Sequence, residues 1–205
     1  MKKIIKDALM LFLITLVSGL ALAAVYEITK APIETAELAE RAEAYRVVFA
    51  DATDFESDET VDAAVADSAK ALSDAGFSPV SVSDALYAVD GNGNRIGCVM
   101  TVNAKGYGGT IQFTMGVTGD KISGISILSH SETAGLGALC TEESFYGQFA
   151  GKPAEPLKVI KTGATEPNEV DVISGATVTT NGITDGVNAG IWFAQNVLKI
   201  EGGAE

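Results

Sequence analysis

Close to its start the chain carries nineteen consecutive residues without a charge, Ala8 to Tyr26. At 1.5 Å per residue that run reaches roughly 28 Å, close to the hydrocarbon thickness of a bilayer. Lys2, Lys3 and Lys6 precede it, so the N-terminus is expected in the cytoplasm and the remainder across the membrane. The run exceeds the roughly 7–15 residues of a secretory h-region, which favours a retained single span. Ala21-Leu22-Ala23 still has the form of a cleavage site, so a removed signal peptide stands as the competing reading. Past the span, Leu38, Ala42, Tyr45 and Phe49 fall on one face of a helix predicted over Ile33–Phe49, with Pro32 in its first turn. Between Asp51 and Asp67 seven acids and no base read as a solvated connector.

The period then changes to two. Ala85–Val89 and Ile96–Val102 are predicted strands joined at Gly91–Asn94, and Thr110–Val117 and Ile122–Leu128 form a second hairpin around Gly119-Asp120. Glu142–Phe149 is a short helix, and Leu157–Lys161 and Val170–Ile173 are strand candidates. Ile183, Val187, Ile191, Ala194 and Leu198 define a last helix from about Val178, on which Gly182, Gly186 and Gly190 permit close approach to the sheet. The expected fold class is α+β: a single N-terminal transmembrane helix, then an extracytoplasmic domain with an antiparallel sheet and flanking helices. The expected divisions are 1–30 (tail and anchor), 31–76 (amphipathic helix and acidic connector) and 77–205 (main domain).

Composition narrows the function. Lys and Arg number 14 against 27 Asp and Glu, a formal net charge of −13, which argues against nucleic acid as a partner. Residues 1–30 carry +2 of that balance and the rest −15, as a lipid-bilayer anchor on an acidic domain requires. Hydrophobic residues at 47 % exclude a disordered chain. Two cysteines and one histidine leave no set for a haem-attachment motif, a zinc cluster or a four-cysteine iron–sulfur site, so no metal is expected.

Candidate chemistry concentrates in Asp171-Val172-Ile173-Ser174-Gly175-Ala176-Thr177. A strand, a turn of small residues and a helix start place N–H groups and a positive dipole end where a phosphate can rest. An ordinary cap by Ser or Thr explains the same residues without a ligand. The glycines at 91, 93 and 97 do not make a dinucleotide loop, because the spacing is one residue too long and a strand follows.

This string resembles the flavinylation motif of the FMN-binding domain family. Lys105-Gly106-Tyr107-Gly108-Gly109 is similar to that family's glycine turn, and His130-Ser131-Glu132-Thr133-Ala134-Gly135-Leu136-Gly137 to its second loop. With one N-terminal span, the chain resembles the G subunits of Rnf complexes. The resemblance implies covalent FMN in phosphoester linkage to Thr177, moved from FAD by a flavin transferase during maturation. Asp171, Ser174, Gly175 and Ala176 complete the motif, with Asp171 helping to orient the metal-bound FAD diphosphate. Gly106, Tyr107, Gly108, His130, Glu132, Thr133, Gly135, Leu136 and Gly137 are the implied contacts to the ring and ribityl chain. It further implies an electron-transfer subunit without turnover catalysis of its own, in a translocase coupling ferredoxin:NAD+ electron transfer to Na+ or H+ movement beside other membrane subunits.

Within the family the alternative is the C subunit of the sodium-pumping NADH:quinone reductase, usually a longer chain. Outside it stand a free-standing extracytoplasmic flavoprotein shuttle and a tethered scaffold without flavin. Ala134 replaces the family's usual Pro, which is expected to loosen its loop. Thr162-Gly163-Ala164-Thr165 repeats the Gly-Ala-Thr string, but Val159 stands where the motif has its acid and Glu166 follows, so Thr177 is the expected site. His130 has two readings, proton donor or loop-ordering side chain. Cys98 reads as a core residue, and an outside location permits a Cys98–Cys140 disulfide.

Overall fold

The computed structural model describes residues 2–200, without the side chains of residues 2–3 and 31–42. The chain divides into two compact units, residues 1–42 and 43–205. Helix α1 runs Lys2–Val48. The expected span and amphipathic helix are therefore one element, and Pro32 does not begin a new one. Within α1, Ile4–Lys30 is the one described stretch long and apolar enough to cross a membrane, and none of its most apolar window is buried in protein. The side chains of Leu38 and Ala42 lie outside the described residues.

The second unit is built on a five-stranded antiparallel sheet in the order β1-β2-β3-β4-β5: β1 Asp54–Glu56, β2 Ser81–Val89, β3 Arg95–Lys105, β4 Thr110–Val117 and β5 Ile122–Ser129. Both expected hairpins are present, with β2 and β3 longer than predicted. Asp90 closes the first turn by accepting from the N–H groups of Asn92 (2.8 Å) and Asn94 (2.9 Å). Gly91 and Gly93 thus serve a hairpin.

Strand β3 is buried almost from end to end because both its faces are covered. Cys98, Met100, Val102 and Ala104 join the main core. Val99 faces the other way, onto Tyr45, Val48 and Phe49 at the end of α1. There the Tyr45 hydroxyl donates to Asp84 at 2.6 Å and lies 3.0 Å from the Thr101 hydroxyl.

The acidic stretch is not the solvated connector that its charge suggested. It forms β1 and all of α2 (Glu59–Ala66), which α3 (Ser68–Asp74) follows. Asp58 caps α2 through the N–H groups of Thr60 and Val61 and pairs with Arg95 at 2.9 Å. These bonds hold its carboxyl below the usual range. Val61 and Leu72 are fully buried. The acids occupy the wet face of elements whose apolar positions are few but well placed.

The C-terminal third contains α4 (Glu143–Tyr146), flanked by 3₁₀ turns at Gly137–Thr141 and Gly147–Phe149. A parallel pair follows, β6 (Lys158–Ile160) and β7 (Glu169–Asp171), and then α5 (Thr177–Asn196). Helix α5 lies across β3 and β4, as its glycine spacing predicted. A Cβ at Gly182 would sit 2.1 Å from the Lys105 carbonyl oxygen. Only glycine lets the first turns of α5 rest on the end of β3.

Candidate functional site

Three separate segments meet where α5 begins. Ile173–Ala176 is a tight turn in which Gly175 takes the left-handed φ of 76° and Ala176 N–H donates to Ile173 O at 2.9 Å. Buried Thr180 holds this turn from inside: its hydroxyl accepts from Ile173 N–H and donates to Ala176 O, both at 3.0 Å. The N-cap of α5 is Ala176, which offers no side-chain acceptor. Thr177 is therefore the first helical residue and not the cap. Its hydroxyl is exposed and bonds to no described residue, while the orphan N–H groups and positive dipole end of a 20-residue helix surround it.

The second and third segments are the turn after β3 and the loop after β5. Buried Glu132 ties them to α5, accepting from Gly108 N–H at 2.8 Å with one oxygen and from the Thr179 hydroxyl with the other. A Cβ at Gly137 would lie 2.4 Å from the Glu132 carboxylate and 2.6 Å from the Thr179 oxygen, so the packing there demands glycine. The loop keeps its turn despite Ala134, because Leu136 and Ala138 N–H groups both donate to Thr133 O at 3.1 Å. His130 Nδ1 accepts from Glu132 N–H at 3.1 Å.

Together the segments enclose a cavity of about 440 Å³, lined by Tyr107, Glu132, Thr133, Leu136, Gly137 and residues 175–179. The volume lies in the usual range for small-ligand sites. After Val47, the large apolar side chains left exposed among the described residues are Tyr107, Leu136, Leu139 and Val178. Three of those four line this cavity. Such exposure in one place marks a binding surface. Apolar walls suit a planar ring and the α5 N-terminus suits a phosphate, so the residues present fit FMN. The lining contains no Lys or Arg, which leaves backbone N–H groups to meet the anion.

Of the expected site residues, Tyr107, Glu132, Thr133, Leu136, Gly137, Gly175, Ala176 and Thr177 line the cavity. Gly106, Gly108, His130 and Gly135 are not in its wall, but Gly108 N–H donates to the Glu132 carboxylate and His130 Nδ1 accepts from the Glu132 N–H. Asp171 and Ser174 line a different hollow of about 340 Å³ beside Gln148. The Asp171 carboxylate accepts from Ala164 N–H at 3.1 Å, and its backbone N–H donates to Gln148 Oε1 at 2.8 Å. A larger, more open hollow of about 570 Å³ beside α3 has Lys105 as its one charged residue and none of the candidate site residues in its wall. Thr179 and Thr180 do structural work that the sequence reading missed. The cue available was a run of hydroxyls just inside a helix start, where such groups bond locally.

Thr165 offers no comparable site. It sits in a loop where Glu169 Oε2 accepts from the Thr165 (3.0 Å) and Glu166 (3.2 Å) N–H groups. Those bonds hold the Glu169 carboxyl below its usual range. A phosphate there would meet a carboxylate already seated. Cys98 and Cys140 are both free and buried, so the permitted disulfide is not formed.

Comparison with known proteins agrees with this geometry. Residues 106–191 match the FMN-binding domain family and residues 1–48 match the RnfG N-terminal region. The chain is 33 % identical over 202 residues to the G subunit of the Na(+)-translocating ferredoxin:NAD(+) oxidoreductase complex of Acetobacterium woodii, covering 97 % of this chain and 95 % of that one. It is 37 % identical over 128 residues to the G subunit of the proton-translocating ferredoxin:NAD(+) oxidoreductase complex of Clostridium ljungdahlii, covering 62 % and 67 %. The crystal structure of Shewanella oneidensis NqrC has the same fold, with TM-score 0.50 and 24 % identity over 57 % of this chain and 58 % of that one. The family match makes residues 106–191 an FMN-binding domain. The chain belongs to the G-subunit family of ion-translocating ferredoxin:NAD(+) oxidoreductase complexes.

Proposed function

We propose that this chain is a single-pass membrane-anchored electron carrier of an Rnf-type complex, holding FMN covalently on Thr177 and working beside other membrane subunits. One observation carries the reading: an exposed threonine hydroxyl that bonds to no described residue stands at the uncapped N-terminus of α5 and opens onto an apolar-walled cavity. In maturation, assisted by a flavin transferase, the Thr177 oxygen bonds to the FMN phosphorus of FAD. The diphosphate bond breaks, AMP departs, and the hydroxyl proton is released. The attached FMN supplies one- and two-electron transfer. The N–H groups of the first turn of α5 hold the phosphoester, and Tyr107, Leu136 and Val178 shield the ring from water. Covalent attachment keeps the cofactor in place outside the cytoplasm, where free FMN is dilute.

Lys2, Lys3 and Lys6 keep the N-terminus inside and place the flavin domain outside. The full chain, co-expressed with the transferase and extracted in mild detergent, is expected to carry one FMN and to co-purify with integral membrane partners from its native membrane. Protease added to wall-stripped cells is expected to digest the domain. A colourless chain, a chain that always purifies alone, or a fully protected domain contradicts the respective part of the proposal.

A further inference from the structure

Glu132 is a buried carboxylate in the cavity wall, and no lysine, arginine or histidine forms an ion pair with it among the described residues. Its two partners are neutral, the Gly108 N–H and the Thr179 hydroxyl. Burying a carboxylate with two neutral donors and no cation is costly, and sites that keep such a group use it. An amide residue would fill the space and meet both partners without burying a charge. The charge also reaches its surroundings. Burial raises the Cys140 thiol to about 11, and the negative charge of Glu132 contributes to that rise.

We propose that Glu132 is a positioning residue with two separable roles: its oxygens lock the glycine turn and the second loop onto α5, and its fixed negative charge lowers the reduction potential of the flavin held in the cavity. The inference rests on the proposal that FMN occupies this cavity from Thr177. Reduction adds electrons to the flavin, and a fixed anion in a water-poor wall disfavours the more negative, reduced form. The two roles divide because glutamine reproduces the bonds without the charge. Its Oε1 accepts from Gly108 N–H, and its Nε2 donates to a Thr179 oxygen free to act as acceptor. Aspartate keeps the charge on a side chain one methylene shorter, which cannot span both donors.

The test uses the full chain in detergent, co-expressed with the flavin transferase, as parent, Glu132→Gln and Glu132→Asp. Flavin fluorescence of the denatured band reports loading, thermal melting reports the lock, and a redox titration followed by flavin absorbance reports the midpoint. Glu132→Gln is expected to load, to melt within about two degrees of the parent, and to show a midpoint more positive by several times the parent's scatter. Glu132→Asp is expected to load, to melt lower, and to keep a midpoint closer to the parent's than that of Glu132→Gln. A loaded Glu132→Gln chain with the parental midpoint overturns the electrostatic role. Equal positive shifts in both variants overturn it too, since the midpoint then follows distortion. Loss of folded protein in Glu132→Gln but not in Glu132→Asp overturns the lock. An unlabelled parent overturns the FMN proposal itself, and this inference with it.

Discussion

The carboxylate of Asp171 accepts from the N–H of Ala164 at 3.1 Å, so the acid that opens the Thr177 motif is bound to the loop that carries the competing Thr165. The sequence spacing had placed this acid with the modified threonine, as an aid to transfer. In the structure the same carboxylate also steadies the 162–166 segment, and Asp171 lines the Gln148 hollow. Asp171→Ala is expected to speed hydrogen exchange at the Ala164 amide and across residues 162–166, with exchange in α5 unchanged. Parental protection of that loop in the variant contradicts this assignment.

Helix α5 can carry Thr177 to the cavity only because its glycine face rests on the sheet. Gly182→Ala adds a methyl group 2.1 Å from the Lys105 carbonyl, and a backbone atom cannot swing away. The loss from overpacking, about 1–3 kcal/mol, exceeds the gain in helix propensity of about 1 kcal/mol. At Gly190 the neighbour at 2.2 Å is the Met115 sulfur, the end of a flexible side chain. Urea unfolding of the full chain is expected to show a lower midpoint for Gly182→Ala and a smaller effect for Gly190→Ala. The reverse order contradicts the packing account.

Period and turn chemistry exposed most of the sheet in advance. The runs that became β4 and β5 were bounded to within a residue at each end: β4 alternates apolar and polar residues throughout, and the Gly119-Asp120 turn separates it from β5. Helix α5 showed itself through Ile183, Val187, Ile191 and Ala194, all of which are buried. What remained hidden was β1, α2 and α3. Their short apolar sets, such as Val61 and Leu72, are too sparse to set a period, and the surrounding acids dominate the local composition. At the site, the three motifs could be found singly, but Glu132, Gly108 and Thr179 lie far apart in the chain. Only the folded arrangement makes them one contact.

The two thiols give a prediction in alkaline solution. Burial pushes Cys98 up to about 12 and, with help from Glu132, Cys140 up to about 11, from an ordinary value of 9.0. Above that ordinary value the unfolded chain releases thiol protons that the folded chain retains, so stability falls as pH rises toward 12. The contribution is fully present below about pH 9. Urea midpoints at pH 8.5 and 10.5 are expected to drop less in Cys98→Ala than in the parent. Equal slopes contradict the assignment. Native-state alkylation at pH 8 is expected to leave both thiols unmodified, and denatured protein to take up two equivalents without prior reduction.

The covalent site is the central claim, and a peptide map tests it most directly. In full-length chain co-expressed with the flavin transferase, the peptide containing Asp171–Thr180 is predicted to gain the mass of one FMN less water and to fluoresce after denaturation. Thr177→Ala is predicted to abolish both signals and to change stability by less than about 0.5 kcal/mol, because the exposed hydroxyl bonds to no described residue. Thr165→Ala is predicted to change neither signal. Label that survives Thr177→Ala, or that maps to Thr165 or to buried Thr179 or Thr180, would contradict the account.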